Sequence, residues 1–430
     1  MTSILRRSPF SANPTVGLRG QEAQRRILDA ALQVFGEAGY HQCGIVRIAE
    51  VAGCSRASFY QYFSSKEDVF RHLAGQVARE LVASADALDE VTADEAGWDR
   101  LRAWVERHAA IYLRYEPVFE AFRDAAESDD AVASGSTRNL ERQAAMIRSR
   151  VSASTLPPEQ TDAVIELMLN VMTRTPRTSE ILRTAVPNRS VQRERVNTAM
   201  TDLVHRTLFG LDADVNVRPA PRRRAARAKL GTSVLAGSID DGTGLTTGGR
   251  RTRAALIEAA QRVLGERGYH ATRVDDITEA AGVSHGAFYR YFDNKDHVVR
   301  LLALRAMHRM SSAFDEIPDV AGHPGPASSA QLTEWLDRYV STSAAEAAIV
   351  RVWVDATVDD PTLGLESAAA LDWGRARLVR FLQPRAFGDI ESEALLMVVL
   401  LDVTGRRRHF PDAVSASRLI IERGLLGFEA

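Results

Sequence analysis

Apolar residues recur every three or four positions along most of the chain, a spacing that predicts α-helices. The clearest case is residues 45–63, which read as a helix, a tight turn and a second helix. Gly53 can adopt the left-handed conformation that ends the first helix, and Ser55 offers an oxygen that caps the second. Phe59 and Phe63 lie one turn apart on the second helix, so both are predicted to point inward.

The same pattern occurs a second time. Residues 274–292 repeat residues 45–63 at an offset of 229 positions. The repetition continues further, because the Trp-Leu-Asp-Arg run at 335–338 matches the Trp-Val-Glu-Arg run at 104–107 at an offset of 231. The duplication therefore covers two whole modules.

The pattern and composition of the chain also predict its fold class and its division into domains and linkers. No stretch alternates convincingly between apolar and polar residues, so the fold class is predicted to be all-α. Residues 211–249 are basic and Pro-rich and then Gly/Thr/Ser-rich, a composition that cannot bury enough apolar surface to order itself. The predicted segments are a disordered leader (1–20), a helix–turn–helix domain (21–72), a helical domain (73–210), the linker (211–249), a second helix–turn–helix domain (250–299) and a second helical domain (300–430).

Residues 25–70 resemble the N-terminal domain of the tetracycline-repressor (TetR) family of one-component regulators. The shared features are an apolar first helix, the Gly39-Tyr40 stop, an Ile-Ala pair, the Ala-Gly-x-Ser turn, the Phe-Tyr-x-Tyr-Phe run and Lys66-Glu67. Residues 253–299 repeat them without a gap, except that Thr278 replaces the Ala. Members usually carry one such domain per chain and bind DNA as homodimers, so the resemblance implies two tandem modules, each with a DNA-binding head and a helical effector and dimerisation domain.

The resemblance also implies where the modules pair. Residues 164–173 with 195–208, and 394–404 with 413–426, match the positions where family members build a four-helix dimer interface. The two modules can supply both halves of that interface within one chain. We therefore expect a monomer that acts as an intramolecular pseudo-dimer, with a further homodimer left open.

Positive charge is concentrated in the two heads. Residues 1–72 carry nine Lys and Arg against six Asp and Glu, and residues 218–300 carry fifteen against nine, which gives net charges of +3 and +6. Counterion release at DNA phosphates favours such basic surfaces, although many charge runs are only solvated faces. The basic residues of the leader and linker could contact DNA or merely keep these segments soluble: Arg6, Arg7, Arg19, Arg222, Arg223, Arg224, Arg227 and Lys229.

The exposed faces of the two recognition helices provide the predicted base contacts. These are expected from Arg56, Ser58 and Gln61 in the first head and from His285, Ala287 and Arg290 in the second. Arg favours guanine and Gln favours adenine, whereas Ala offers only a methyl contact. The DNA partner is therefore predicted to be a double-stranded operator with two unlike half-sites, their centres a helical turn or a multiple apart.

Backbone contacts are expected beside the base readers. Ser55 and Ser284 are predicted to cap their helices and to reach phosphate. The resemblance implies that Lys66 and Lys295 meet phosphate at the start of the fourth helix of each head, where the helix dipole also favours an anion. It further implies DNA-backbone contacts from four tyrosines, which could instead be partly buried core residues: Tyr60, Tyr62, Tyr289 and Tyr291.

The start of the second helix differs between the heads. Thr272 is placed to cap this helix in the second head, with Asp275 three residues on, and is a further candidate for a phosphate contact. The first head has Cys43-Gly44 at this point, so the side-chain cap is expected to be missing there.

Aromatic side chains in each helical domain are open to two interpretations. Aromatics at helical spacing usually form core, but in the family this region houses a ligand cavity, and apolar cavities with a few polar groups suit small molecules. The candidates are Trp104, Tyr112, Tyr115, Phe119 and Phe122 in the first domain and Trp335, Tyr339, Trp353, Trp373 and Phe381 in the second. His108, Arg114 and Asp355 could fix the polar groups of a ligand.

These features predict a ligand-responsive DNA-binding transcriptional regulator, by the family norm a repressor that an unknown small molecule releases from DNA. Such a ligand acts only through its different affinities for two states of the protein. The alternative is a ligand-binding or scaffold protein with one functional DNA head or none.

Catalytic and metal-binding functions are not expected. Residues 282–286 fit the G-x-S-x-G nucleophile elbow, but that motif works at a strand-to-helix turn, and here an amphipathic helix precedes it. Cys43 and Cys54 could form a metal or redox trio with His41, yet the second copy lacks both cysteines, so they are interpreted as packing residues without a cofactor. No long apolar run and no secretory signal is present, so the protein is expected in the cytoplasm.

Overall fold

A computed structural model describes residues 17–128, 130–185, 192–211, 244–356, 361–385, 388–406 and 412–428. Within these ranges the regular structure is helical and no β-strand occurs, as the hydrophobic pattern predicted. The leader up to residue 16 and the linker residues 212–243 lie outside the described residues, with all of their candidate basic contacts except Arg19. Arg19 is exposed and belongs to the first helix, which begins at Leu18 within the predicted disordered leader. The chain forms two compact units, one of residues 1–92 and 99–152 and one of residues 93–98 and 153–430.

The first unit contains the first head and the helices that pack on it. Its helices are α1 (Leu18–Gln42), α2 (Ile45–Val51), α3 (Arg56–Tyr62), α4 (Lys66–Asp86), α5 (Glu95–Arg114, from residue 99 on), α6 (Glu116–Ser128) and α7 (Asp130–Arg150). The backbone kinks at Gly39, whose φ of 74° lies in the left-handed region that glycine tolerates. This confirms the predicted end of the first helix.

The head and α6 share one hydrophobic core. Phe35, Phe59 and Phe70 of the head are buried in the same cluster as Val118 and Ala121 of α6. Helices α1 and α6 approach closely, and a Cβ atom on Gly36 of α1 would lie 3.2 Å from the Pro117 ring. Movement of α6 would therefore be transmitted to the first helix of the head.

The second unit contains the second head and helices from both modules. Its helices are α8 (Pro158–Ala185), α9 (Arg193–Phe209), α10 (Thr247–Ala271), α11 (Val274–Ala281), α12 (His285–Phe288), α13 (Lys295–Asp315), α14 (Pro326–Ala356), α15 (Pro361–Leu382), α16 (Ile390–Arg406) and α17 (Ala413–Leu419). A single 3₁₀ turn (Gln383–Arg385) follows α15, and a π-helical segment (Ile420–Leu425) continues α17. No helix in the described part of the chain has the length and apolar composition of a membrane span.

Helix α4 ends at Asp86, and α8 runs to Ala185 past Pro176, a residue type that usually ends or kinks a helix. Leu182 beyond the proline is buried, so apolar packing accompanies the extension. The break between α5 and α6 is absent from the second module, where α14 is one 31-residue helix. At the offset of 231 its Ala348 replaces Pro117, and alanine leaves the helical hydrogen bond intact.

Helices of the two modules pack directly against each other in the second unit. Helices α8 and α9 of the first module contact α16, α17 and the π-helical segment of the second. These are the helix pairs that the resemblance marked as an interface. A buried ion pair joins them, because the Arg206 guanidinium of α9 donates to the Glu393 carboxylate of α16 at 2.5 Å. The second compact unit therefore begins within the predicted domain 73–210.

Candidate nucleic-acid interface

The first head has the predicted helix–turn–helix geometry. Gly53 has a φ of 64° in the turn, and the Ser55 hydroxyl accepts a hydrogen bond from the Ser58 amide at 3.0 Å, which confirms the predicted cap of α3. Phe59 and Phe63 are fully buried, as predicted. Each contributes roughly 1.5–3 kcal/mol of hydrophobic stabilisation. The buried edge fixes the orientation of the outer face of α3.

The outer face of α3 presents a mixture of charged, amide and aromatic groups. Arg56 and Gln61 are exposed, whereas Ser58, Tyr60 and Tyr62 are half-buried. The guanidinium carbon of Arg56 lies 5.7 Å from the centre of the Tyr60 ring, which restrains the arginine through a cation–π contact. All three predicted base readers of this head are thus exposed or partly exposed on α3.

The recognition helix of the second head is shorter and is capped differently. Helix α12 has a single turn, His285–Phe288, and the Ser284 side chain at its N-cap position accepts no hydrogen bond. The predicted side-chain cap of Ser284 is therefore wrong. The Ala287 amide donates instead to the Ser284 carbonyl at 2.9 Å. This tight first turn already satisfies the amide that the Ser284 hydroxyl was expected to bind. The Ser284 hydroxyl is left on the exposed surface.

A carboxylate distinguishes the surface of the second head. Asp275 accepts a hydrogen bond from His285 Nδ1 at 2.5 Å, and both side chains are exposed. The His285 ring also lies 5.2 Å from the Tyr289 ring. At the offset of 229 the first head has Val46 where the second has Asp275. Sequence reasoning considered Asp275 only as a cap partner and missed that it orients a predicted base reader.

The Thr272 cap is a further correction. Its side chain is buried, and its hydroxyl donates to the Gly268 carbonyl at the end of α10, at 2.7 Å. The N-cap residue of α11 is Arg273 rather than Thr272, and the helix begins at Val274. Asp276 Oδ2 accepts a hydrogen bond from the Arg273 amide at 2.8 Å. That hydrogen bond, with the neighbouring Arg267 guanidinium, lowers the pKa of the Asp276 carboxyl. The first head has Gly44 at its N-cap without a side-chain cap, as predicted.

The ammonium groups of Lys66 and Lys295 bind backbone carbonyl groups within their own heads. The Lys66 ammonium donates to the Tyr40 carbonyl at 2.7 Å, and the Lys295 ammonium donates to the Tyr269 carbonyl at the same distance. Each ammonium also lies over the ring of that tyrosine, 4.4 Å and 3.9 Å from the centroids. The ammonium groups thus hold the end of the first long helix of each head, and the phosphate contacts expected of these lysines stay a prediction.

The remaining predicted contacts keep their outward or partly outward positions. Tyr289 and Arg290 are exposed, and Ala287 and Tyr291 are half-buried. The cysteines take no part in this surface. Cys43 is buried in the core, where burial raises the pKa of its thiol, and Cys54 packs against that core.

The aromatic candidates of the first helical domain divide into two groups. Tyr115, Phe119 and Phe122 pack against the core of the head, and the Tyr115 hydroxyl donates to Glu80 at 2.5 Å. Tyr112 stacks on Phe119 with ring centroids 4.7 Å apart. Trp104 is buried one turn from His108, with ring centroids 5.8 Å apart, and its indole N–H finds no acceptor among the described residues.

The aromatic candidates of the second helical domain divide in a similar way. Trp335 stacks on Tyr339 and donates to the Ala313 carbonyl at 2.8 Å, and burial raises the pKa of Tyr339. Trp353 belongs to the core of the second head, and its buried indole N–H has no acceptor in the described ranges. Trp373 packs edge-on against Phe314. The Asp355 side chain lies outside the described residues.

His108 makes the stability of the first unit sensitive to acid. Complete burial lowers the pKa of His108 to about 4, so the folded protein resists a proton that the unfolded chain takes up near pH 6.5. Its contribution to the free energy of unfolding is therefore constant above about pH 6.5 and falls by about 1.4 kcal/mol per pH unit down to about pH 4. In urea unfolding of the His108→Gln variant, we expect a shallower loss of stability between pH 6.5 and 4. An unchanged pH profile would contradict this assignment.

Both heads match one known protein family. Residues 27–73 and 256–302 each match the family described as bacterial regulatory proteins, tetR family. The HTH-type transcriptional regulator TtgR of Pseudomonas putida is 42% identical over 74 residues, which are 16% of this chain and 35% of the relative. The HTH-type transcriptional repressor AcnR of Corynebacterium diphtheriae is 31% identical over 115 residues, 26% of this chain and 58% of the relative.

Two further proteins are similar. The fatty acid metabolism regulator protein of Bacillus subtilis is 36% identical over 90 residues, 20% of this chain and 43% of the relative. The chain thus spans between about a third and three fifths of these curated relatives. The crystal structure of a TetR family transcriptional regulator, PfmR from Thermus thermophilus, aligns with 42% of this chain and 97% of its own at 24% identity and a TM-score of 0.34.

Proposed function

Because the chain is a tandem member of the tetR family of bacterial regulatory proteins, we propose that it is a DNA-binding transcriptional regulator that reads one operator with its two heads. The observation that supports this most directly is the pair of helix–turn–helix surfaces. Each head buries a Phe edge and turns a polar, partly basic face outward. Such a face can hold phosphates and hydrogen-bond base edges together.

The two heads belong to one functional unit, a pseudo-dimer formed within the chain. The packing of α8 and α9 on α16, α17 and the π-helical segment supports this, since these helices come from different modules. Polar contacts line the same contact region: Arg206 pairs with Glu393, Arg195 with Asp389 at 2.7 Å, and Arg174 with Asp402 at 3.2 Å.

The operator has two unlike half-sites. Arg56 and Gln61 on α3 favour guanine and adenine. The second head offers a His285 ring held by Asp275, whose carboxylate can accept from a cytosine amino group, and an exposed Arg290. The two surfaces therefore prefer different base patterns.

A small molecule regulates DNA binding from the helical domains. The buried indole N–H groups of Trp104 and Trp353 support this, because a carbonyl or carboxylate of a ligand could accept from either. In the first module a ligand beside α5 and α6 would act on the head through the close Gly36–Pro117 contact. Its effect is limited to its different affinities for the DNA-competent and released states. Repression relieved by the ligand is the proposed outcome.

The experiment that tests this function is selection of bound DNA from a random duplex pool, with the mass of the protein–DNA complex measured alongside. Two unlike half-sites covered by one chain would support the proposal. A palindrome covered by two chains would mean that one head per chain reads DNA. An absence of enrichment at about 0.1 M salt would refute the regulator and favour a scaffold or ligand-binding role.

Base readout is predicted to be separable between the heads. Arg56→Ala or Gln61→Ala should cost about 1–3 kcal/mol of binding free energy and relax the base preference in one half-site only. Arg290→Ala should cost a similar amount of binding free energy and relax the base preference in the other half-site. Repeating the selection with each variant measures this directly. Arg183→Ala, on the exposed surface of α8, is the matched control and should leave the selected sequence unchanged. Loss of preference in both half-sites from one substitution would contradict separate readout.

A further inference from the structure

A polar groove lies between α10 and α13 of the second head. Its volume is about 370 Å³, within the range of small-molecule sites. It is lined by Arg250, Arg253, Ala254, Ile257, Glu258, Gln261 and Arg305. Three arginines and one glutamate thus line the groove, which gives the lining a net charge of +2.

Arg253 is the most buried of the three arginines that line this groove. Its side chain is about 5% exposed, and its guanidinium carbon lies 5.5 Å from the centre of the buried Phe292 ring. This cation–π contact restrains the guanidinium beside the groove. Arg305 is half-buried and Arg250 is exposed, so the positive charge extends from the floor to the rim.

The first head lacks this charge although it folds in the same way. At the offset of 229 the three arginines correspond to Gln21, Gln24 and Gln76. The other lining positions of the first head include one Arg and one Asp, so its corresponding net charge is zero. Because the first head folds with glutamines at these positions, the shared fold does not by itself require the three arginines.

The groove starts beside Tyr291, one of the proposed DNA contacts of the second head. Gly249 immediately precedes Arg250, and a Cβ atom on Gly249 would lie 3.4 Å from the Tyr291 hydroxyl. The Thr246 hydroxyl accepts from the Gly249 amide at 3.2 Å and caps α10 at this end. An anion bound here would sit next to a tyrosine that is a proposed DNA contact.

We propose that this arginine groove binds a phosphoryl group through Arg250, Arg253 and Arg305, and that only the second head does so. Planar guanidinium groups match phosphate oxygens with paired hydrogen bonds, which lysines cannot reproduce. The phosphoryl group comes either from the DNA backbone beside the second half-site or from a free phosphorylated molecule. The first source rests on the proposed DNA-binding function, whereas the second does not.

The test uses the full chain and a triple variant, Arg250→Gln, Arg253→Gln and Arg305→Gln, which copies the residues of the first head. Circular dichroism first establishes that the variant remains folded. The control has the same charge change on the helical bodies, Arg102→Gln, Arg183→Gln and Arg338→Gln, at positions that form exposed or half-exposed ion pairs. Both variants and the wild type enter two binding experiments.

In the DNA experiment, affinity for the selected duplex is measured from about 0.05 to 0.3 M salt. The triple variant should bind about tenfold more weakly at about 0.15 M, and its log–log salt dependence should be shallower by about 1, the value for one lost phosphate contact. In the second experiment, calorimetry without DNA uses pyrophosphate as the probe. Saturable binding by the wild type and the control, lost in the triple variant, would identify a free phosphorylated ligand as the source.

The outcomes separate the proposals. An effect of the triple variant in either experiment supports the groove, and the experiment that shows it identifies the source. If the triple variant behaves like the wild type in both experiments, the proposed phosphoryl site is overturned. If the wild type selects no DNA, the proposed function fails, and the pyrophosphate titration alone decides the groove.

Discussion

Replacing Glu393 with methionine is expected to lower the free energy of unfolding by about 3–5 kcal/mol. Glu393 and its partner Arg206 are about 1% and 4% exposed, and they join α16 of the second module to α9 of the first. Loss of the carboxylate leaves a buried guanidinium that cannot discard its charge at any ordinary pH. Urea unfolding of the full chain, followed by far-ultraviolet circular dichroism, measures the change.

The reciprocal variant should behave differently. Arg206→Met leaves a buried carboxyl group, and burial already raises the pKa of Glu393 even with Arg206 beside it. The group can therefore take a proton, so this variant should lose less stability than Glu393→Met. A raised folded-state pKa lets the native state hold the proton more tightly, so the deficit of Arg206→Met should shrink as the pH falls toward the unfolded value of about 4.3. Glu393→Met should show no such recovery.

Two controls isolate the buried pair. The double variant Arg206→Met/Glu393→Met should recover most of the loss, because no buried charge remains unpaired. Arg174→Gln breaks the exposed pair with Asp402, which also bridges the modules, and should cost at most about 1 kcal/mol. Equal effects of the buried and exposed substitutions would argue against a desolvated contact between the modules.

The heads were the most predictable part of the protein because local rules fix them. Gly39 and Gly53 adopt positive φ, and Phe59 and Phe63 are buried, as spacing and glycine chemistry indicate. The duplication provided an internal comparison, since a feature present in only one copy could be set aside. The cysteine trio was rejected in this way.

The errors arose where several groups compete for one hydrogen bond. Thr272 and Ser284 are residue types that often cap helices. The Thr272 hydroxyl instead donates to the Gly268 carbonyl. The Ala287 amide donates to the Ser284 carbonyl and not to the Ser284 hydroxyl. The hydrogen bond from the Lys66 ammonium to the Tyr40 carbonyl, 26 residues earlier, was likewise not indicated by the local sequence. The choice between such partners depends on tertiary contacts that no local pattern contains.

The contact between the modules was predictable in its helices but not in its side-chain pairs. Family resemblance marked residues 164–173, 195–208, 394–404 and 413–426, which lie in α8, α9, α16, α17 and the π-helical segment. The pairing of Arg206 with Glu393 joins positions 187 residues apart. Neither residue stands out in a sequence in which 26% of the residues are charged. The Trp104 and Trp353 indoles were likewise identified as aromatic candidates, but only burial reveals that their N–H groups lack acceptors among the described residues.

The crossing of α9 and the π-helical segment shows that the two modules are not interchangeable. The Arg-Thr-Leu-Phe-Gly run at 206–210 corresponds to the Arg-Gly-Leu-Leu-Gly run at 423–427, and both runs end at a glycine with positive φ. Thr207 and Gly424 hold the same place in these runs and meet each other at the crossing. A Cβ atom on Gly424 would lie 2.4 Å from the Thr207 hydroxyl oxygen and 2.6 Å from a Leu203 methyl group. The helices can approach this closely only because one side is a glycine.

Gly424→Thr is therefore expected to destabilise the second unit by about 3 kcal/mol or more, at the upper end of the range for overpacked sites. Thr207→Gly alone should cost only about 1 kcal/mol, the helical penalty of glycine. The exchange variant Thr207→Gly/Gly424→Thr restores one threonine and one glycine at the crossing, so it should regain at least half of the lost stability. Urea unfolding measures the three free energies, and native mass spectrometry follows the oligomeric state. A Gly424→Thr protein as stable as the wild type would show that the two segments do not cross at this distance. Rescue by the exchange would show that the contact needs one glycine on either side, a requirement that two copies of the first module, with Thr207 against Thr207, could not meet.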